Sequence, residues 1–91
     1  MLRKGMIWMQ MDKKDQLAEL ISNAETSFYN GQLQEAFSLS LSAIKLDENC
    51  ADAYQCATNV CMSLSRYEDA IEYYQKVQIY IMLITQIEMN L

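Results

Sequence analysis

Cys50, Cys56 and Cys61 are the side chains with the most obvious reactivity, and the chain of 91 residues contains no histidine. Without histidine, neither a Ser-His nor a Cys-His nucleophile pair can form. The cysteines also lack the Cys-x-x-Cys pairs of zinc sites, and Cys56 and Cys61 fall on different faces of one predicted helix. We therefore expect small, buried, apolar thiols, with no metal and no other cofactor.

The odd number of cysteines also carries information about the cellular compartment. The opening MLRKGMIWMQM is too short in its apolar part for a secretory signal and has no small-residue cleavage site. Three thiols without such a signal favour a reducing environment. The sequence therefore predicts a cytoplasmic protein.

Carboxylates are the second group that could do chemistry. Glu68 and Asp69 are adjacent, but they fall in the first turn of a predicted helix, where negative charge is favoured by the helix dipole. The two glycines, Gly5 and Gly31, do not form a phosphate-binding loop. No catalytic constellation emerges, and the sequence predicts that this protein is not an enzyme.

The net charge of −5 argues against nucleic-acid binding, which needs clustered Lys and Arg. The charge is uneven, because the segment 1–14 is net positive whereas the segment 17–75 is strongly net negative. Such an acidic surface favours a basic or mainly apolar protein or peptide partner. Alternatively, the carboxylates form a solvated face that serves solubility.

Four helices are predicted to position these side chains. The chain lacks proline and is rich in Leu, Ile, Met, Ala, Gln and Glu, which favours helix throughout. Asp12 is a predicted N-cap for the first helix, and Gly31 can end that helix in a left-handed conformation. The second helix is expected to end near Leu46, and Asn49 to cap the third. Ser65 has capping-box spacing to the following acidic residues and is predicted to open the fourth helix.

The stretches GQLQEAFSLSLS and SRYEDAIEYYQK, which begin at Gly31 and Ser65, repeat the same pattern. We call the offset between these two starting residues the repeat period. At this offset, large residues fall on large ones and small residues on small ones at most positions. A helical hairpin that recurs about every 34 residues is typical of a repeat protein. The aligned pairs include Gly31 with Ser65, Glu35 with Asp69, Ala36 with Ala70, Phe37 with Ile71, and Ala43 with Val77.

At these positions the chain resembles the tetratricopeptide repeat (TPR) family. The residues that match the family pattern are Ala24, Gly31, Ala36 and Ala43 in the first repeat, and Tyr67, Ala70 and Tyr74 in the second. Ser40 departs from the pattern where an aromatic residue is usual, as do Glu48 and Met82 where proline is usual. The resemblance covers residues 17–82 and implies an all-α fold of antiparallel hairpins in a superhelix. A plain four-helix bundle is the alternative.

The predicted domain covers residues 12–91, with repeat one at 17–50, repeat two at 51–82 and an apolar C-terminal extension at 79–91. Residues 1–11 are expected to be an N-terminal extension. Two alternatives remain for this extension, namely a disordered tail or a further apolar contact through its MIWM stretch.

The resemblance also implies a partner-binding groove lined by the first helix of each hairpin. The residues implied for this groove are Ile21, Glu25, Cys56 and Asn59. Family members that clamp the acidic C-terminus of chaperones use Lys and Asn at such positions, and Ile21, Glu25 and Cys56 supply neither. We therefore expect a different ligand class.

Residues 79–84 are apolar without interruption, so this part of the fourth helix is predicted to be hydrophobic around its whole circumference. Two repeats offer little cover for it, and its residues are candidates for an oligomer interface. The candidate interface residues are Ile79, Ile81, Leu83, Ile84 and Ile87. The apolar run is too short to span a membrane, so membrane contact is disfavoured. A homodimer is preferred over the docking of a different protein.

Two functions remain open at this level. The chain is either a small adaptor or chaperone-like scaffold that binds a partner segment and self-associates, or a purely structural homo-oligomer without a groove in use.

Overall fold

The computed structural model describes residues 12–89, with side chains described for residues 12–86. This part of the chain is all-helical and contains no strand, which confirms the predicted all-α class. The four helices are α1 (Lys13–Tyr29), α2 (Leu33–Leu46), α3 (Ala51–Ser63) and α4 (Tyr67–Met89). The predicted extension at 1–11 and the side chain of Ile87 lie outside the described residues.

Helix α1 begins as its sequence predicts. The side chain of Asp12 accepts a hydrogen bond of 2.8 Å from the backbone N–H of Asp15, so it satisfies one of the free donors of the first turn. The acidic side chain at this end also complements the helix dipole.

The other two predicted caps are wrong. Cys50 precedes α3 without a capping side chain, and the side-chain oxygen of Asn49 accepts a bond from the hydroxyl of Tyr80 instead. Ser65 adopts φ +59°, which belongs to the turn, and α4 starts only at Tyr67. The side chain of Asn49 thus bonds to Tyr80 instead of capping α3, and the backbone of Ser65 forms the turn instead of capping α4.

The turn that joins α1 to α2 has the same form as the turn that joins α3 to α4. Gly31 (φ +78°) and Ser65 (φ +59°) occupy the left-handed position, one repeat period apart. In each turn the N–H of this residue donates to the carbonyl three residues earlier over 3.1 Å, and the next N–H donates to the carbonyl five residues earlier over 2.8 Å. The predicted left-handed Gly31 is confirmed, and Ser65 adopts the same conformation at an energetic cost that glycine does not incur.

Helix α1 packs on α2 and α3 packs on α4, and the two pairs meet through α2, α3 and α1. Small side chains dominate the places where the helices meet. The alanines that are at most 2% exposed are Ala24, Ala36, Ala43, Ala53, Ala57 and Ala70. Because alanine lacks bulk beyond Cβ, the helix backbones can approach closely at these crossings.

A line of aromatic rings connects the two helix pairs. Tyr73 lies 6.5 Å from the ring of Phe37 and 6.3 Å from that of Tyr54, and Tyr80 continues the line 6.2 Å beyond Tyr54. The guanidinium of Arg66 lies 4.8 Å from the ring centre of Phe37, in cation–π geometry. These large rings fill the space between the alanine crossings.

Helix α4 extends beyond the body that the other helices form. Helix α2 ends at Leu46, whereas Tyr80, its counterpart one repeat period later, is followed by more helix up to Met89. Four predicted interface residues on this extension, Ile79, Ile81, Leu83 and Ile84, are each at least 50% exposed.

No helix in the described part of the chain combines the length and the hydrophobicity that a membrane crossing requires.

Candidate functional site

A cleft of about 160 Å³ lies between α1 and α3, the first helices of the two hairpins. Two carboxylates, two amides and one thiol line it together with four apolar side chains. The polar members are Glu25, Asp52, Gln55, Asn59 and Cys56, and the apolar members are Ala24, Phe28, Tyr29 and Val60.

Helical spacing brings these side chains together. Asp52, Cys56 and Asn59 are four and three residues apart, so they lie along one face of α3. Glu25 and Phe28 are three residues apart and project from α1 in the same way. Because α1 packs against α3, the two faces form opposite walls of the cleft.

Glu25, Cys56 and Asn59, three of the four residues implied for the groove, line this cleft. Ile21 does not belong to the lining; it lies one turn earlier on α1 and is half-buried. The sequence interpretation also missed Asp52, which lies one turn before Cys56 and shares its face.

Gln55, Phe28 and Tyr29 are further lining residues that the sequence interpretation missed. The i, i+3 and i, i+4 spacing to Glu25, Cys56 and Asn59 was the available signal. Nothing in the sequence pattern alone distinguishes a cleft wall from an ordinary solvated face.

Cys56 is the most perturbed group in the cleft. Its Sγ atom lies 4.0 Å from Oε1 of Glu25, and the thiol donates a weak hydrogen bond to that carboxylate. Burial, and then the negative charges of Glu25 and Asp52, raise the pKa of Cys56 from 9.0 to about 11. Since the thiolate is the reactive form, this thiol is inert near neutral pH. Burial and charge therefore suppress the nucleophilic form of Cys56 near neutral pH.

The cleft combines negative charge with apolar surface, because Glu25 lies on the same helix as Phe28 and Tyr29, and Asp52 faces them from α3. Among the described residues that line it, Glu25 and Asp52 are acidic and none is Lys or Arg. The rings of Phe28 and Tyr29 stand edge to face at 5.6 Å and form an aromatic wall. A side chain with a cationic head and an apolar stem would satisfy both parts of such a site.

The amides of the cleft are organised before any ligand arrives. The side-chain nitrogen of Gln55 donates to the side-chain oxygen of Asn59 over 3.2 Å, along one side of α3. Among the side chains of residues 12–86, no three cysteines or carboxylates are grouped closely enough to hold a metal ion.

Comparison of the chain with protein-family models, with curated proteins and with solved structures gives no match.

Proposed function

We propose that this chain is a protein–protein interaction module of the TPR type, a small adaptor or chaperone-like scaffold whose α1–α3 cleft binds a basic segment of a partner protein. The observation that carries the proposal is the acidic cleft between the first helices of two hairpins. The function rests on recognition of charge and shape, without a catalytic step.

The recurrence of the turn supports the repeat assignment. The left-handed residue and the hydrogen bonds around it return after one repeat period with the same lengths, and the buried Ala36 and Ala70 occupy equivalent crossings. A fixed period of this length is characteristic of helical-hairpin repeats. In that architecture the first helices line the binding surface, which corresponds to α1 and α3 here.

The size and charge of the cleft support a basic ligand. A volume of about 160 Å³ is close to that of cavities that hold one benzene ring, so one long side chain fits. An Arg or Lys side chain would place its charge near Glu25 and Asp52 and its stem against Phe28. Opposite charges across the contact would provide specificity and a faster association rate.

Fluorescence polarisation with two labelled, acetylated nonapeptides tests this proposal. One peptide carries a central Arg between Leu residues, and the other carries Gln in place of that Arg. We expect the Arg peptide to bind several-fold more tightly and to lose affinity as salt screens the charges. Glu25→Gln should weaken this binding by about five- to tenfold, since it removes one of two charges near the cation.

Glu19→Gln is the matched control, because Glu19 is an exposed carboxylate on the same helix outside the cleft lining. It removes the same net charge and should leave the affinity unchanged. Equal losses in the two variants would show that the peptide senses overall charge, and equal binding of the Arg and Gln peptides would contradict a cation-binding cleft.

A second candidate function, assembly into a homo-oligomer, is favoured by the extension of α4. Its side chains Ile79, Ile81, Leu83 and Ile84 are half exposed, and exposed apolar surface of this kind usually marks an interface. On this hypothesis the chain is a structural subunit, and the cleft has no ligand.

The double variant Leu83→Glu/Ile84→Glu tests the second candidate by light scattering during size-exclusion chromatography. We expect the wild type to form dimers and the variant to remain monomeric, because the new charges would be buried in the contact. Leu41→Glu introduces a charge at an exposed apolar residue of α2, away from the extension, and serves as control. A variant that dimerises like the wild type would rule out the extension as the interface.

A further inference from the structure

The outer face of the first hairpin is covered by the second hairpin. We call this face the first stacking face; its residues are Ala24, Phe28, Ala36, Phe37 and Ser40. The small members of this set are at most 1% exposed. Its large members are half-buried, Phe28 in the cleft wall opposite α3 and Phe37 against the ring of Tyr73 on α4.

The equivalent face of the second hairpin is open. We call it the second stacking face; its residues, each one repeat period later, are Thr58, Met62, Ala70, Ile71 and Tyr74. They line a shallow groove of about 360 Å³ between α3 and α4. Met62, Ile71 and Tyr74 are 53%, 57% and 48% exposed, although their counterparts in the first hairpin pack against the next helices.

The adjoining chain does not fold back over this groove. After the first hairpin the chain turns at Asp47 and returns as α3, which provides the cover. After the second hairpin, α4 continues through Tyr80 to Met89 and leads away from the position where such a turn would be. Within residues 12–89, no helix therefore covers the second hairpin as α3 covers the first.

The apolar surface continues from the second stacking face along α4. At 100° per residue, Tyr67, Gln78, Ile81 and Met82 project within about one quadrant of Ile71 and Tyr74. Among the described residues of α4, no charged side chain interrupts this stripe. The six large apolar side chains of the combined surface, each about half exposed, present on the order of 600 Å², which approaches the ~800 Å² that each partner contributes to a standard interface. These six side chains are Met62, Tyr67, Ile71, Tyr74, Ile81 and Met82.

The α1 end of the molecule is polar, which favours face-to-face over head-to-tail association of two copies. The residues one repeat period before the buried Ala53 and Ala57 of α3 are Glu19 and Asn23 of α1, and both are exposed. Head-to-tail stacking would place this carboxylate and this amide in the apolar groove, at a cost that burial of unpaired polar groups always carries. Contact between two identical apolar faces avoids this cost and closes the assembly around a two-fold axis.

We infer that the second stacking face is the interface of a two-fold symmetric dimer, in which each copy of the chain covers the open groove of the other. The inference rests on the self-association proposed above as the second candidate function, but it places the contact on the α3–α4 groove and its continuation along α4. The groove shares Gln55 and Asn59 with the acidic cleft, so the two surfaces adjoin, whereas Glu25 and Asp52 line the cleft but not the groove.

Sedimentation equilibrium of the full chain, from low micromolar to several hundred micromolar, tests the inference with variants on two different helices. Met62→Glu on α3 and Ile71→Glu on α4 should each raise the dimer dissociation constant at least tenfold. Leu41→Glu is the matched control, since Leu41 is an exposed apolar residue of α2 that lies outside both stacking faces. Circular dichroism of each variant verifies that the fold is retained, which we expect because both sites are exposed.

The dimer contact and peptide binding by the cleft should respond differently to high salt. The dimer dissociation constant of an uncharged apolar interface should stay the same or decrease in high salt, whereas the affinity of the Arg peptide for the cleft should fall.

Loss of dimer in Met62→Glu and Ile71→Glu, with Leu41→Glu unchanged, supports the inference, whether or not the Leu83→Glu/Ile84→Glu variant also dissociates. Dimers that persist in both stacking-face variants overturn it and leave the extension of α4 as the interface. A wild type that stays monomeric overturns both interfaces, while peptide binding by the cleft remains measurable on its own.

Discussion

At the scale of single residues, burial and nearby negative charge both raise the pKa of the Cys56 thiol. Its thiol lies in the wall of the cleft, and Glu25 and Asp52 add negative charge near an atom that would become negative itself. Each of these influences disfavours the thiolate, so the residue acts as a small apolar group with a weak donor. Cys61 is likewise buried, and burial is also the main cause that raises its pKa.

The fold should lose stability above about pH 9 through Cys56. The unfolded chain releases this proton near the ordinary pKa of 9.0, whereas the folded chain holds it until about pH 11. The stabilising contribution is therefore complete below pH 9 and is lost as the pH rises to about 11. Two pKa units correspond to about 2–3 kcal/mol at most. Urea unfolding in the presence of reductant, between about pH 8 and pH 11, measures the decline.

Cys56→Ser should make that decline shallower without abolishing it, because burial also raises the pKa of Cys61, Tyr54 and Tyr73. Cys50→Ser, at a half-buried site just before α3, is the matched control. A Cys56→Ser variant whose stability falls as steeply as that of the wild type would contradict the assignment of this pH dependence to Cys56.

Substitutions at the two left-handed turn residues test the energetic cost of that backbone conformation. Gly31→Ser should destabilise the fold by about 1 kcal/mol, because an L-residue in this region is strained. A Cβ at Gly31 would meet no atom within 4 Å, so the cost comes from the backbone alone. Ser65→Gly should stabilise by only a few tenths of a kcal/mol, since the relief of strain is offset by the greater freedom of glycine in the unfolded chain.

Chemical denaturation of both turn variants measures the two free energies of unfolding. Effects of the same sign at the two positions would show that the turns are not energetically equivalent, despite their common backbone geometry.

At the scale of the elements, the loop between α2 and α3 is tied down by two tyrosines. The hydroxyls of Tyr54 and Tyr80 both donate to the backbone carbonyl of Glu48, over 2.8 and 3.0 Å. The single hydroxyl proton of Tyr80 is shared with the side-chain oxygen of Asn49, 3.2 Å away, in a three-centre hydrogen bond. Hydrogen bonds from two helices therefore hold this loop, which contains no proline.

Tyr80→Phe should destabilise the fold by about 0.5–1.5 kcal/mol, as expected for a lost hydrogen bond with its ring packing retained. Tyr54→Phe should have a similar effect. The double variant should lose more than the sum of the single variants, because either hydroxyl alone still occupies the carbonyl of Glu48. A double-mutant cycle by urea denaturation measures this coupling, and strict additivity would show that the two bonds act independently.

At the scale of the whole molecule, the two ends of the helical stack differ in polarity. The α1 end presents Glu19 and Asn23 to solvent, whereas the α4 end exposes Ile71 and Tyr74. An asymmetry of this kind disfavours head-to-tail stacking, and the proposed dimer uses only the apolar end. The acidic cleft lies between the two ends and shares Gln55 and Asn59 with the groove of the proposed contact.

Self-association should make thermal stability depend on protein concentration. A tenfold increase in concentration stabilises a dimer by about 1.4 kcal/mol, which corresponds to a rise in Tm of about 3–5 °C when two chains of 91 residues unfold as one unit. Calorimetry at several concentrations measures the shift. The shift should vanish in Ile71→Glu and persist in Leu41→Glu, and a Tm independent of concentration in the wild type would contradict the dimer.

How much of the fold was predictable depended on whether a feature is local. The four helices, the cap at Asp12, the left-handed Gly31 and the long fourth helix all follow from neighbouring residues, and the structure confirms each of them. The caps at Asn49 and Ser65 were predicted by the same local reasoning and were wrong. At these two places a distant tyrosine and the geometry of the repeated turn outweigh the capping preference.

By itself, the sequence determined the helical class and the repeat period, because hydrophobic spacing and turn residues act over a few positions along the chain. Three of the four residues expected for a groove, Glu25, Cys56 and Asn59, line one cleft, and their role in binding stays a prediction. Only the tertiary structure decided that Asp52 joins Glu25 and Cys56, and that the second stacking face is open while the first is closed. These features depend on which helix packs against which, and equal sequence patterns in the two hairpins do not reveal that, within residues 12–89, only the first stacking face is covered.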